Sequence, residues 1–251
     1  MVPTVKYLLA LLLFWTLSPA WAVEPSEIID KVDALMNPQA KVMLRLTFKK
    51  NGRVDEFYEM KTYARDNNQK VIVRFTAPAS SIGNDLIMLD RNVWMYQQNA
   101  GRTLRVPANL SFGDTGFSYG DIVRLNLKDN YSATITQETN KQWVLDLAAK
   151  DRQSPYYRIE FTIAKDSFIP IKAVALSGAG QVIKTIEYQK IKNVNGRDKP
   201  TELLVTSPLS PGEESTMTYE AETPMVLAEQ FFNRQNLALR LEEREFTGKN
   251  P

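Results

Sequence analysis

The chain has 251 residues, with 31 Lys and Arg against 29 Asp and Glu, a formal net charge of +2, and neither His nor Cys. Balanced charge gives no electrostatic footprint for nucleic acid, and the missing His removes the commonest general base and the commonest metal ligand together. Zinc, haem and iron–sulfur sites therefore have no ligand set, and without Cys stability rests on a core that a chain of this length can supply.

Residues 1–22 have the form of a cleaved export signal. Lys6 gives a positive start, Tyr7 to Leu17 an apolar run and Ala20-Trp21-Ala22 a small-x-small cleavage site. The run is short for a membrane span, and no later stretch approaches twenty apolar residues. No Cys follows the site to carry a lipid anchor. The expectation is a single soluble domain over residues 23–251, exported to a bacterial periplasm.

From Pro25-Ser26 the apolar residues Ile28, Ile29, Val32, Leu35 and Met36 form one helical stripe, with Glu27, Lys31 and Asp33 expected opposite it; Asn37-Pro38 ends the helix. The period then changes to two. Val42, Leu44, Leu46 and Phe48 alternate with Met43, Arg45, Thr47 and Lys49, Asn51-Gly52 marks a tight hairpin, and a second strand carries Val54, Tyr58 and Met60. Val71 to Thr76 and Leu86 to Leu89 follow as strands. Next come Val93 to Tyr96 and Arg102 to Val106, joined at Gln98-Asn99-Ala100-Gly101.

A Gly- and aromatic-rich loop then runs from Ser111 through Phe112, Phe117 and Tyr119 into a short helical pattern at Asp121 to Leu125. A hairpin feeding such a loop suggests a flap over an apolar cavity. Further strands are expected at 131–137, 143–149, 157–164, 169–176, 181–188, 202–206 and 215–221. Thr223-Pro224 reads as the start of a helix with Leu227, Phe231 and Phe232 on its apolar face, and Glu242 onward as a frayed polar tail. About a dozen short strands without intervening helices predict a mainly β protein, one antiparallel sheet curled into an incomplete, half-open barrel with a few short lid helices.

Gly116-Phe117-Ser118-Tyr119-Gly120 matches the G-x-S-x-G nucleophile elbow letter for letter. The elbow needs a parallel sheet and a His to activate the serine. Neither is expected here, so the glycines are read as joints of the flap and no catalytic residue is assigned. Arg102, Arg105 and Arg124 with Asp114 and Asp121 form a candidate site for an anionic headgroup, against the commoner alternative of surface pairing. The aromatic and Met positions, among them Phe48, Tyr58, Met60, Trp94, Tyr96, Trp143 and Phe231, serve either as core or as cavity lining. A single curved sheet with few helices leaves its concave face to be filled by side chains or held open for a ligand.

The export signal, the opening helix, the long antiparallel run and Asp90-Arg91-Asn92-Val93-Trp94-Met95-Tyr96 before a Gly-rich flap resemble the LolA-like carriers, in the branch of outer-membrane lipoprotein-sorting proteins. The resemblance rests also on Val73-Arg74-Phe75-Thr76-Ala77-Pro78-Ala79, on Gly101-Arg102, and on Asp114 through Phe117-Ser118-Tyr119 to Asp121. Gly120 departs from it, because an acidic residue is expected before Asp121, and Thr115-Gly116 looks inserted. The resemblance implies a half-barrel whose apolar hollow shelters acyl chains of lipoproteins or lipids. It implies transient membrane contact, a possible inner-membrane transporter, no nucleic acid, no cofactor and a monomer. Candidate lining residues are Leu44, Leu46, Phe75, Met88, Val93, Met95, Phe161, Phe112, Phe117 and Tyr119, and candidate headgroup or lid contacts are Arg45, Arg102 and Asp121. The alternative is a lipid-sensing or accessory module that binds an envelope protein on the same fold.

Overall fold

In the computed structural model residues 23–239 are described; the expected leader and the tail from Glu242 lie outside them. Helix α1, Pro25–Met36, starts on a proline, where no helical amide is missed, and buries Ile28, Ile29, Val32 and Met36. Asp33 corrects the expectation of a polar face. It is buried too, because it follows Ile29 by four residues and so falls inside the apolar stripe.

Six strands follow: β1 Ala40–Lys50, β2 Arg53–Arg65, β3 Lys70–Ala77, β4 Leu86–Leu89, β5 Asn92–Gln97 and β6 Arg102–Val106. Two one-turn helices, α2 Tyr119–Ile122 and α3 Leu127–Asn130, lie in the connection to the second run. That run is β7 Tyr131–Glu138, β8 Gln142–Ala149, β9 Arg158–Ala164, β10 Pro170–Leu176, β11 Val182–Val194, β12 Arg197–Thr206 and β13 Glu213–Pro224. A 3-10 turn, Glu229–Phe232, and helix α4, Gln235–Leu239, complete the described chain.

All thirteen strands belong to one antiparallel sheet in the order β6-β5-β4-β3-β2-β1-β13-β12-β11-β10-β9-β8-β7. Every neighbour but one is sequential. The exception is β1 with β13, which joins the two runs with Leu44 opposite Tyr219 and Leu46 opposite Met217. Asn51-Gly52 and Asn195-Gly196 make the two-residue turns of β1–β2 and β11–β12, with φ of +50° and +76° in the first and +52° and +80° in the second. Both central residues at positive φ fit the turn whose twist suits a hairpin, which is why Asn-Gly stands there.

The sheet does not close, and β6 and β7 remain its two edges. It curls so far that turns from opposite flanks meet: Arg91, between β4 and β5, donates to both carboxylate oxygens of Asp151, after β8, at 2.7 and 2.9 Å. Alternation sends residues to two cores. Val71, Val73 and Phe75 of β3 face the inner core, while Ile72 faces an outer one with Tyr63, Ile87, Leu227, Phe231, Phe232 and Leu237. The tail therefore packs on the convex side.

Two local expectations are corrected. Thr223-Pro224 does not start a helix, because both residues stay in β13 opposite Lys41 and Ala40; proline is tolerated at a strand end. The strand expected from residue 157 begins only at Arg158, and Tyr157 lies outside it, 66% exposed.

Candidate functional site: a cavity beneath the flap

Residues 107–130 leave one edge of the sheet and arrive at the other, crossing the inner face. The first part folds back on itself as a tight loop. The amide of Phe112 donates to Phe117 O at 2.8 Å, and the amides of Tyr119 and Gly120 donate to Leu110 O and Ala108 O. Phe112 turns inward and stacks on Phe75 at 5.6 Å, with Tyr58 and Tyr119 edge-on to it at 4.8 and 5.5 Å. Thr115 is fully buried, and its carbonyl accepts from the Ser215 hydroxyl of β13. The Thr115-Gly116 segment thus fastens the flap to the sheet.

Ser118, the serine of the elbow-like motif, is the N-cap of α2. Its Oγ accepts from the Asp121 amide at 3.2 Å, and Asp121 Oδ2 accepts from the Ser118 amide at 2.7 Å. That reciprocal pair is a capping box. The same Oδ2 accepts from Lys184 Nζ of β11 at 2.6 Å and from the Tyr156 hydroxyl at 2.5 Å. Burial opposes the charge on Asp121, but the Lys184 ammonium and these donors outweigh it and hold the carboxyl below the usual range. Burial and the Asp121 charge push the Tyr156 hydroxyl well above its ordinary value. Gly120 is required next to this cap, since a Cβ there would stand 2.5 Å from Pro155 Cγ and 3.1 Å from Ala108 O. That close approach is the physical reason for its departure from the expected acidic residue.

Between α1, the α2–α3 segment and the β7–β13 half of the sheet lies a cavity of about 130 Å³. Its wall is largely apolar and includes Val32, Met36, Phe117, Leu147, Phe161, Ile186, Leu203 and Met217. Tyr188 and Tyr219 add hydroxyls whose pKa burial raises. Two further charged groups share the wall with Asp121. Asp33 accepts from the Leu127 and Lys128 amides at 3.0 Å each, yet burial pushes its carboxyl up to about 7. Arg124, at a positive φ of 52°, donates from Nη1 to Met36 O at 3.0 Å. Its backbone is held there by Asn68 Nδ2, which donates to Val123 O and Arg124 O at 3.1 and 2.6 Å.

The size of the hollow decides what it holds. A void of about 150 Å³ takes up benzene, whereas ligand pockets run from about 300 Å³ upward. At about 130 Å³ the hollow has room for a short piece of chain.

The structure divides the expected lining residues. Leu44, Leu46, Phe75, Met88, Val93, Phe112, Phe117 and Phe161 are buried in the inner core, with Met95 and Tyr119 packed against it. Only Phe117 and Phe161 of these ten border the cavity. The others fill the β1–β6 half, where Phe112 packs against Phe75 and Tyr58. Of the wider aromatic set, Trp94, Tyr96 and Phe231 belong to the outer core.

Of the three candidate headgroup or lid contacts, two lie on the exterior and one on the cavity wall. Arg45 alternates with Leu44 and Leu46, so it points outward and pairs with Glu59 and Glu220 on the exterior. Arg102 is exposed on the edge strand β6, and Arg105 is exposed beside Asn92. Asp121 lines the cavity and gives its oxygen to the flap cap and to Lys184, so it fastens the flap to the sheet. Lys184, Tyr156 and Asp33 were not singled out in the sequence. Lys184 shares its strand phase with Ile186 and Tyr188, and a lysine in an apolar phase is the signal that marks it.

A family model described as "Uncharacterized protein" matches residues 67–238. No curated protein matches the chain. Among solved structures, a LolA superfamily protein from Nitrosomonas europaea is similar at 24% identity, with a TM-score of 0.78 over 85% of this chain and 99% of that one. A DUF1329 family protein from Desulfovibrio piger is similar at 18% identity and a TM-score of 0.72, over 86% and 100% of the two chains. A putative outer membrane lipoprotein-sorting protein domain from Vibrio parahaemolyticus is similar at 16% identity and a TM-score of 0.71, over 85% and 98%. The chain belongs to the family of the matching model, built on the LolA-like fold.

Proposed function

We propose that the protein is a periplasmic, non-catalytic carrier that shelters acyl chains of lipoproteins or other lipids on the inner face of its half-barrel. It acts as a monomer, loading at an inner-membrane transporter and delivering toward the outer membrane. The observation that carries the proposal is the flap: Phe112 and Phe117 lie on the inner face of an open sheet, and Phe117 borders an apolar cavity there. Aromatic side chains there act as placeholders that a chain displaces when the flap swings out. The fold shared with the lipoprotein-sorting domain from Vibrio parahaemolyticus supports the same reading.

The physical need for such a carrier is large. Exposing an acyl chain costs roughly 0.8 kcal/mol per CH2, about 12 kcal/mol for a chain of about sixteen carbons. A hollow offsetting most of that makes transfer through water feasible, provided a lid moves to admit the chain. The test is transfer of a labelled diacyl lipid from donor to acceptor vesicles by the purified protein. Transfer that rises with protein concentration is expected. A protein that binds the lipid without exchanging it would instead be the lipid-sensing module.

A further inference from the structure

Arg124 is the feature of the cavity that an acyl chain alone leaves unexplained. It is 8% exposed, and while Nη1 is used by Met36 O, Nε and Nη2 are buried without a hydrogen-bond partner among the described residues. Burial raises the Tyr219 hydroxyl against the charge of Arg124 and a side-chain contact to it, and the ring lies 5.7 Å from the guanidinium, but among the described residues Nε and Nη2 have no partner at full hydrogen-bonding geometry. Nε–H and one Nη2–H share the side-on edge of the guanidinium, the fork that accepts two oxygens of one oxyanion. A buried edge of this kind is costly to leave unpaired, and the backbone at positive φ adds to the cost of holding the residue there. The neighbouring acid, Asp121, is already committed to Lys184. Arg124 and the apolar wall belong to the same cavity.

Resting on the carrier reading above, we propose that Arg124 is a binding residue for the oxyanion headgroup, carboxylate or phosphate, of an amphiphile whose chain lies along the cavity. The ligand class is thus an anionic amphiphile rather than an uncharged one. The headgroup supplies the fork with the partner that the protein does not.

The experiment is calorimetric titration of the detergent-free protein with dodecanoate, dodecyl phosphate and dodecanol below their micellar limits, and with acetate and inorganic phosphate. Either anionic amphiphile is expected to bind at least about tenfold more tightly than dodecanol, the size of one charge-assisted bidentate contact. A preference for carboxylate points to fatty-acid-like ligands and a preference for phosphate to phospholipid-like ones; both support the fork. Arg124→Gln is expected to bring the anions down to the dodecanol affinity without changing dodecanol itself. Arg124→Lys should recover little, because an ammonium lacks the two-pronged edge. Equal affinity for dodecanol and the anions overturns the proposal, as does full anion affinity in Arg124→Gln, or acetate and phosphate binding as tightly as the long chains. The headgroup comparison on the unaltered protein stands even where Arg124 variants do not fold. If none of the three long-chain compounds binds the folded protein, the carrier reading itself fails.

Discussion

In Phe112→Ala the flap loses the side chain that seats it. Phe112 is 8% exposed and makes ring contacts with Phe75, Tyr58 and Tyr119 at 4.8 to 5.6 Å. Truncating a buried Phe costs about 3–5 kcal/mol, and each aromatic pair contributes about 0.5–1.5 kcal/mol of that beyond area burial. At about 2–4 °C per kcal/mol for a chain of this size, Tm is expected to fall by roughly 10 °C. Binding moves the other way if Phe112 is a plug. The closed flap lowers apparent affinity by the fraction of molecules that are open, and loosening the seat raises that fraction. Affinity for a fluorescent acyl probe is therefore expected to rise at least about tenfold, toward the limit set by the lost contacts. Thermal unfolding and probe titration on the same sample read both quantities. A variant that loses stability and affinity together would show that Phe112 is wall, and would refute the plug.

Asp121→Asn and Lys184→Met each break the buried pair beneath α2, so each is expected to cost about 3–5 kcal/mol in chemical denaturation. The double variant recovers part of that loss, because no charge is left uncompensated. Asp33 carries a pH signature of opposite sign to an ordinary paired carboxylate. Burial raises its pKa from 3.8 to about 7, so the folded state holds its proton more tightly than the unfolded chain, and stability falls as pH rises through that window. Asp33→Asn is expected to flatten that slope in denaturation series across the same range; an unchanged slope would remove the assignment. Gly120→Ala places a methyl 2.5 Å from Pro155 Cγ, and overpacking of this kind costs about 1–3 kcal/mol. An equally stable alanine variant would mean that the flap shifts freely.

The sheet was legible because its signals are local. Alternation in β1 put Leu44 and Leu46 on one face and Arg45 on the other, and the Asn-Gly pairs set two hairpins. What alternation cannot say is which face is concave, so Arg45 stood among the headgroup contacts until the curl of the sheet placed it outside. Long-range pairing was equally invisible. Nothing in the segment around Asp121 names Lys184, which lies 63 residues away, or the Tyr156 hydroxyl. Asp33 was misplaced because a charged residue was assumed to seek water, whereas it accepts the amides of α3. The tail failed for a different reason: Thr223-Pro224 carries helix-start chemistry, but a ladder partner on β1 wins over a local cap. The elbow-like motif shows the converse, a correct set of letters whose serine caps a one-turn helix.

The central claim is that the inner face shelters an acyl chain, and native mass spectrometry with lipid extraction tests it most directly. The protein is taken from periplasm without detergent and sprayed intact. A bound acylated species is expected, its mass separating lipoprotein from phospholipid or free fatty acid. An empty protein that also takes up no added acyl compound would contradict the account.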